Sequence, residues 1–123
     1  KNWLANEKPR DIFFTKHLHP DDFYKYLNYA ACAVGNSSSF IREGAYLGTP
    51  VVLVGSRQSQ RETSENILEV TDGVVNLKEA ILSQIKKGRF PSSNIFGTGD
   101  SAFKIADILA NVELNVQKSF NNL

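Results

Sequence analysis

The 123-residue sequence predicts an α/β fold with a parallel sheet, and three observations carry that prediction. Short β-prone runs alternate with stretches of helical apolar period, the order expected when helices cover a parallel sheet. One run, Val51-Val52-Leu53-Val54, is apolar without a break, as a strand covered on both faces must be. The length suits one domain with its own core, and 41% apolar with 22% charged residues is ordinary for a soluble globular chain.

Taken in order, Ile12-Phe13-Phe14-Thr15 reads as a short strand of aromatic and β-branched residues. Pro20-Asp21-Asp22 opens a helix, with Pro early and acids in the first turn. Phe23, Tyr26, Leu27 and Ala30 follow at i, i+3, i+4 and i+7, on one helical face. Ala31 to Val34 reads as a buried strand ended by Gly35-Asn36. A second helix spans about Ser38 to Leu47, stopped by Gly48 with Pro50 beyond. The polar stretch Gly55 to Asn66 follows the Val51–Val54 strand as a loop leading into a helical turn. Ile67 to Val70 and Gly73 to Asn76 read as extended pieces. Leu77, Ile81, Leu82 and Ile85 give another amphipathic helix. Ile105, Ile108, Leu109, Val112 and Val116 give a last one over about 100–118, capped by Asp100 or Ser101. The pattern resembles half of a doubly wound architecture, in which ligands sit beyond the carboxyl ends of the strands.

A formal charge of +1 points to no nucleic-acid partner, and Lys86, Lys87 and Arg89 read as a solvated helix end. Cys32 has no cysteine to pair with and reads as a small core residue in a reducing, cytoplasmic setting. No apolar run approaches the ~20 residues needed to cross a bilayer, so no membrane partner is expected. The sequence lacks methionine, which reads as a fragment of a longer chain.

The chemistry concentrates in Gly35-Asn36-Ser37-Ser38-Ser39, where a strand gives way to a helix. The first amides of a helix lack internal partners and carry partial positive charge, so such a turn can hold a phosphate. Ser37 and Ser38 would add hydroxyl donors, although one serine acting only as a helix cap accounts for the pattern too. Glu43 lies one turn beyond Ser39 on the same side. From there it can accept from a ribose diol, or it can be a surface residue paired with Arg42. Arg57 and Arg61 lie in the loop after the next strand, at the same sheet edge, where guanidinium groups can clamp phosphate.

These motifs, with Arg42-Glu43, Leu47-Gly48-Thr49-Pro50-Val51, Gly55-Ser56-Arg57-Gln58, Arg61-Glu62 and Glu65-Asn66, resemble the signature of UDP-N-acetylglucosamine 2-epimerases. They are most similar to the hydrolysing branch. The Asp-Ser-Gly-Gly turn and Arg-Pro-Glu loop typical of the non-hydrolysing branch are not in this sequence. The resemblance runs from about His17 to the Gly97-Thr98-Gly99-Asp100 turn. Gln60 departs from it, standing where many relatives have glycine.

The resemblance implies a Rossmann-like domain, one half of a GT-B-type two-domain fold, with residues 1–123 as the C-terminal, UDP-binding domain. It implies that Ser37 and Ser38 hold the diphosphate, Glu43 the ribose, and Arg57 and Arg61 the nucleotide. Phe23 would flank the uracil, with backbone contacts from His17-Leu18, although Phe23 also fits the apolar helix face. The implied partners are a UDP-sugar substrate, the missing N-terminal domain of the same chain and further copies in a homo-oligomer. No cofactor and no metal are implied. The proton-handling residues would lie in the other domain, so no catalytic residue is assigned here and the chain alone is expected to be inactive. The competing reading is the nucleotide-sugar half of a GT-B glycosyltransferase, against which the Arg57–Glu62 loop argues.

Overall fold

The computed structural model describes residues 10–71 and 73–113. Helix α1, Pro20–Tyr29, starts as its sequence demands: the His19 ring accepts from the Asp21 amide, Pro20 stands at the first position, and Asp21 and Asp22 face the positive helix end. Strand β1, Ala33–Gly35, leads through Asn36 into α2, Ser38–Leu47. Gly48 ends α2 in the left-handed conformation (φ 65°) that glycine adopts without penalty. Strand β2, Val51–Val54, follows, then β3, Ile67–Val70, helix α3, Val74–Lys87, and helix α4, Ser101–Asn111. No helix among the described residues is long and apolar enough to cross a membrane.

The three strands form a parallel sheet in the order β1-β2-β3, with Ala33 beside Val51 and Val51 beside Ile67. In β2 the neighbours Val51, Val52 and Leu53 are all at or below 1% exposure. Since successive side chains point to opposite faces, both faces of this strand are covered. Helices α2 and α3 both pack on β2, and α1 packs on α2. Leu27, Ala33, Ile41, Val51 and Leu53 make the core, bordered by Phe23, Phe40, Leu47 and Ile67.

At the amino end of the sheet the interior is polar. Gln84, 1% exposed, donates from Nε2 to the carbonyls of Val51 (2.9 Å) and Asn66 (2.8 Å). Asn66 Nδ2 donates to the Thr49 carbonyl (2.7 Å), and Thr49 Oγ1 donates to the Leu27 carbonyl (2.9 Å). Arg89 reaches Leu47 O and Thr49 Oγ1 with one guanidinium nitrogen and Asn28 Oδ1 with another. The chain beyond Arg89 then covers the end of α2. Phe90 N donates to Gly48 O, Ser93 N to Ala45 O and Ser92 Oγ to Tyr46 O, which satisfies carbonyls that a helix end leaves open.

Several expectations are corrected. Ile12–Thr15 is not a strand but irregular chain, with Phe13 91% exposed, because no strand lies beside it among the described residues. Gly73–Asn76 is not extended: Gly73 caps α3, which starts at Val74. The buried run expected at Ala31–Val34 begins only at Ala33, and Val34 is exposed at the sheet edge. Tyr26 faces outward, leaving Leu27 and half-buried Phe23 as the packed face of α1. In α3 the packed face runs through Leu77, Ala80, Ile81 and Gln84, so Leu82 and Ile85 are exposed. Arg89 is tied into the fold rather than solvated with Lys86 and Lys87.

Helix α4 ends at Asn111, where Val112 turns extended, and the expected turns through Val116 fall outside the described residues. Asp100 does hold its N-cap position, but its carboxylate serves Lys104 (2.9 Å) and Thr98 (2.8 Å) rather than a helix amide. Those two partners, Lys104 first, hold the Asp100 carboxyl below its ordinary pKa.

Gln84→Ala removes two buried hydrogen bonds and leaves a cavity where the side chain packed, so it is expected to destabilise the chain by about 2–4 kcal/mol. Leu82→Gln, on the exposed side of the same helix, is expected to stay within about 0.5 kcal/mol of the parent. Urea unfolding followed by circular dichroism checks both, and equal losses would contradict the face assignment.

Candidate functional site

The carboxyl ends of β1 and β2 lie side by side in the parallel sheet, and each opens into a polar turn. At β1 the turn begins with Gly35. A side-chain carbon there would come to 3.1 Å from the Phe40 ring, which would have to shift to admit it. Ser37 is the N-cap of α2: its Oγ accepts from the Ser39 amide at 3.3 Å, which leaves the hydroxyl hydrogen available to donate outward. Ser38 is the first helical residue, and the amides of this turn stand at the positive end of the helix dipole.

At β2 the chain leaves through Gly55, whose amide donates to Val70 O (2.9 Å), into two tight turns closed by Ser59 N to Ser56 O and Arg61 N to Gln58 O. Gln58 is the anchor. It is 5% exposed, and its Nε2 donates to the Asn36 carbonyl at 2.8 Å, so the arginine-bearing loop is tied to the serine turn. Gln60 takes φ 71°, the left-handed region, and is the only non-glycine to do so among the described residues. Arg57 and Arg61 are exposed, and neither guanidinium has a hydrogen bond or ion pair among the described residues.

Beside the serine turn an open cleft of about 580 Å³ runs between α2 and the chain entering α1, lined by Lys16, His17, Leu18, Phe23, Ser39 and Glu43 among others. Thr15 Oγ1 holds the cleft's rim by donating to the His17 carbonyl at 2.7 Å. Phe23 stacks on Phe40 with ring centroids 6.5 Å apart and planes 6° from parallel. It therefore borders the core and also lines the cleft. Ser39 and Glu43, one turn apart on α2, line it together, as their spacing requires. Glu43 makes no ion pair with Arg42 or any other described cation, and its Oε2 is buried without a hydrogen-bond partner. On its far side Glu43 also lines a smaller cavity with Tyr24, Tyr46 and the Phe96–Gly99 turn. Burial raises the Tyr24 phenol above its ordinary pKa, and the neighbouring Tyr46 and Glu43 add to the effect.

Of the residues singled out in the sequence, Phe23 and Glu43 share the cleft. Ser37, Ser38, Arg57 and Arg61 stand on the turn and loop at the strand ends and do not line it. Gln58, Tyr24 and Lys16 carry the site geometry without having been assigned any part in it. A glutamine in a polar loop gives no sign in sequence that it is buried. Among the described residues no group of three or more His, Cys, Asp or Glu could hold a metal ion.

A non-glycine residue in the left-handed region costs roughly 1–2 kcal/mol, offset in part because glycine loosens the unfolded chain. Gln60→Gly is therefore expected to stabilise the chain by about 0.5–1 kcal/mol in urea unfolding. A destabilisation would show that the Gln60 side chain, not its backbone, shapes the loop.

Comparison with known proteins points to one family. The profile of the family described as UDP-N-acetylglucosamine 2-epimerase matches residues 3–110. The chain is 33% identical over 107 residues to a UDP-N,N'-diacetylbacillosamine 2-epimerase (hydrolyzing) of Legionella pneumophila, with 87% of this chain and 28% of that protein covered. It is 34% identical over 107 residues to a UDP-N-acetylglucosamine 2-epimerase of Neisseria meningitidis serogroup B, with 82% of this chain and 28% of that protein covered. The chain thus spans little more than a quarter of the length of these curated relatives. With a family profile matched over most of its residues, set on a parallel α/β sheet whose strand ends carry the serine turn and the arginine loop, the chain belongs to the UDP-N-acetylglucosamine 2-epimerase family.

Proposed function

We propose that this chain is the UDP-binding part of a hydrolysing UDP-sugar 2-epimerase, belonging to the C-terminal domain of a two-domain GT-B-type enzyme that works as a homo-oligomer. The observation that carries the reading is Glu43. A buried carboxylate oxygen without a hydrogen-bond partner is costly, and the Glu43 side chain that carries it lines the same cleft as Phe23 and Ser39. A ribose diol supplies the donors that this oxygen lacks. The uracil then lies toward Phe23 and the His17-Leu18 backbone. The diphosphate lies toward Ser37, Ser38 and the α2 amides, with Arg57 and Arg61 closing over it from the loop that Gln58 ties down. The name of the Legionella relative supports the hydrolysing outcome, as does the serine-rich turn.

In the reaction proposed for the whole enzyme, the bond between the anomeric carbon and UDP breaks as a proton leaves the neighbouring carbon. The result is a glycal and free UDP. Water then adds across the double bond, delivering a proton to the second carbon from the opposite face and hydroxyl to the first. This chain's residues act on the leaving group: they bear the negative charge that grows on the diphosphate as the bond breaks, an electrostatic contribution. The base and acid come from the part of the enzyme outside this chain, as does recognition of the particular N-acylated sugar.

Calorimetry with UDP tests the phosphate site. Ser37→Ala/Ser38→Ala is expected to weaken binding by about 3–6 kcal/mol, for two bonds to a charged group. Unchanged affinity in a variant that keeps its circular dichroism spectrum would refute the assignment. The ribose assignment is tested separately. Glu43→Gln is expected to weaken UDP by at least about 1 kcal/mol more than it weakens 2′,3′-dideoxy-UDP, which has no diol to donate. Equal losses for the two ligands would return Glu43 to a local structural role.

A further inference from the structure

The side-chain bond made by Gln58 grips one particular peptide. The Asn36 carbonyl, which accepts from Gln58 Nε2 at 2.8 Å, belongs to the peptide unit whose amide is that of Ser37. In a planar trans peptide the C=O and the N–H point in opposite directions. A carbonyl drawn toward Gln58, which is 5% exposed, therefore turns the Ser37 N–H the other way, out of the interior. Among the amides that open α2, Ser39 N donates to the Ser37 hydroxyl and Phe40 N to the Ser37 carbonyl. Those of Ser37 and Ser38 donate to no described residue.

The same residue organises the loop after β2. Arg57 precedes it in the chain, and the Gln58 carbonyl accepts from the Arg61 amide at 3.2 Å, across a turn in which Gln60 takes φ 71°. For the fold itself the amide contributes little, because one bond is set against an Oε1 that is buried without a partner. What the side chain does supply is relative position. Across 22 residues of sequence it sets an outward amide at the end of β1 against two free guanidinium groups at the end of β2.

We infer that Gln58 is a positioning residue for the diphosphate: by holding the Asn36 carbonyl it aims the Ser37 amide at a phosphate oxygen and keeps that donor in register with Arg57 and Arg61. The inference rests on the UDP reading above and assigns the side chain no contact with the ligand. Donors fixed before binding lose less freedom when the anion arrives. Uridine has no phosphate to meet them, so the bond from Gln58 governs the preference for UDP over uridine and not the affinity for the nucleoside.

Calorimetry and amide NMR on the protein, with UDP and uridine as ligands, test this. In the parent, UDP is expected to bind tighter than uridine and to move the Ser37 amide proton downfield, as a new bond to an anionic oxygen does. Uridine is expected to leave that proton in place. Gln58→Met removes the donor and the stranded oxygen together. It is expected to keep the parent's urea midpoint, yet to lose about tenfold of the preference for UDP, the worth of one well-placed bond to a charged group. A folded Gln58→Met protein with the parent's preference would overturn the inference. So would a lowered midpoint with equal losses for both ligands, because Gln58 would then act on stability alone. Should the variant not fold, the parent decides: the downfield shift at Ser37 carries the inference, and UDP that moves the Ser38 and Ser39 amides but not that of Ser37 overturns it. A parent that binds UDP no tighter than uridine is a different failure, since the nucleotide reading itself then falls and takes this inference with it.

Discussion

The structure depends on a chain of buried hydrogen bonds that runs from Gln84 through Asn66 and Thr49 to Leu27, with Arg89 closing it against Leu47 and Asn28. Parallel strands are entered from distant parts of the sequence, and at their amino ends the loops arrive with carbonyls that the ladder does not pair. Here side chains from the loops pair those of Thr49 and Leu27, and Gln84 from α3 adds a second bond at Asn66, whose carbonyl the Val51 amide also reaches. Each bond contributes only about 1 kcal/mol net, but each carbonyl left open would cost more than that. The core around Leu27, Ile41, Val51 and Leu53 drives collapse without direction. The polar network fixes which loop sits under which strand.

Pinning the amino end leaves the carboxyl end free to be polar and irregular, and that is where the chemistry gathers. Gln58 performs on that side what Gln84 performs on the other, with one bond instead of two. The serine turn and the arginine loop are consequently tied to each other at the sheet edge. The left-handed Gln60 and the orphaned Glu43 oxygen are both local costs, and both fall at this end. Unpaired buried amide oxygens occur at both ends, on Gln58, Asn66 and Gln84, but among the described residues the unpaired buried carboxylate oxygen falls here.

Local signals in the sequence were legible wherever one residue decides the outcome. Pro20 and the acids after it open α1, Ser37 caps α2, Gly48 ends it, and the unbroken apolar run is the central strand. The serine turn was legible for the same reason, because it lies within a few residues of chain, and so was the pairing of Ser39 with Glu43. What could not be read depends on partners far away in sequence. Period alone makes Leu82 and Gln84 equally eligible for the packed face of α3, and the packed position falls to Gln84, whose amide reaches the carbonyls of Val51 and Asn66. Gln58 and Arg89 look like surface residues until Asn36, Asn28 and Leu47 are brought beside them. Ile12–Thr15 shows the converse: its residues favour a strand, and a strand needs a neighbour.

The segment from Arg89 to Ser93 closes over α2 with bonds that join residues more than forty positions apart. Contacts so distant in sequence must overcome loop-closure entropy before they contribute, so they form late in folding. On the ribosome, where domains emerge from the amino end, helix α2 is made long before Phe90 and Ser93 can reach its last turn. Until then the helix ends on Gly48 alone, whose amide reaches the Ala45 carbonyl while that of Tyr46 is left to water. The carboxyl end of the helix that carries the serine turn is therefore completed only after the chain through Ser93 has been made.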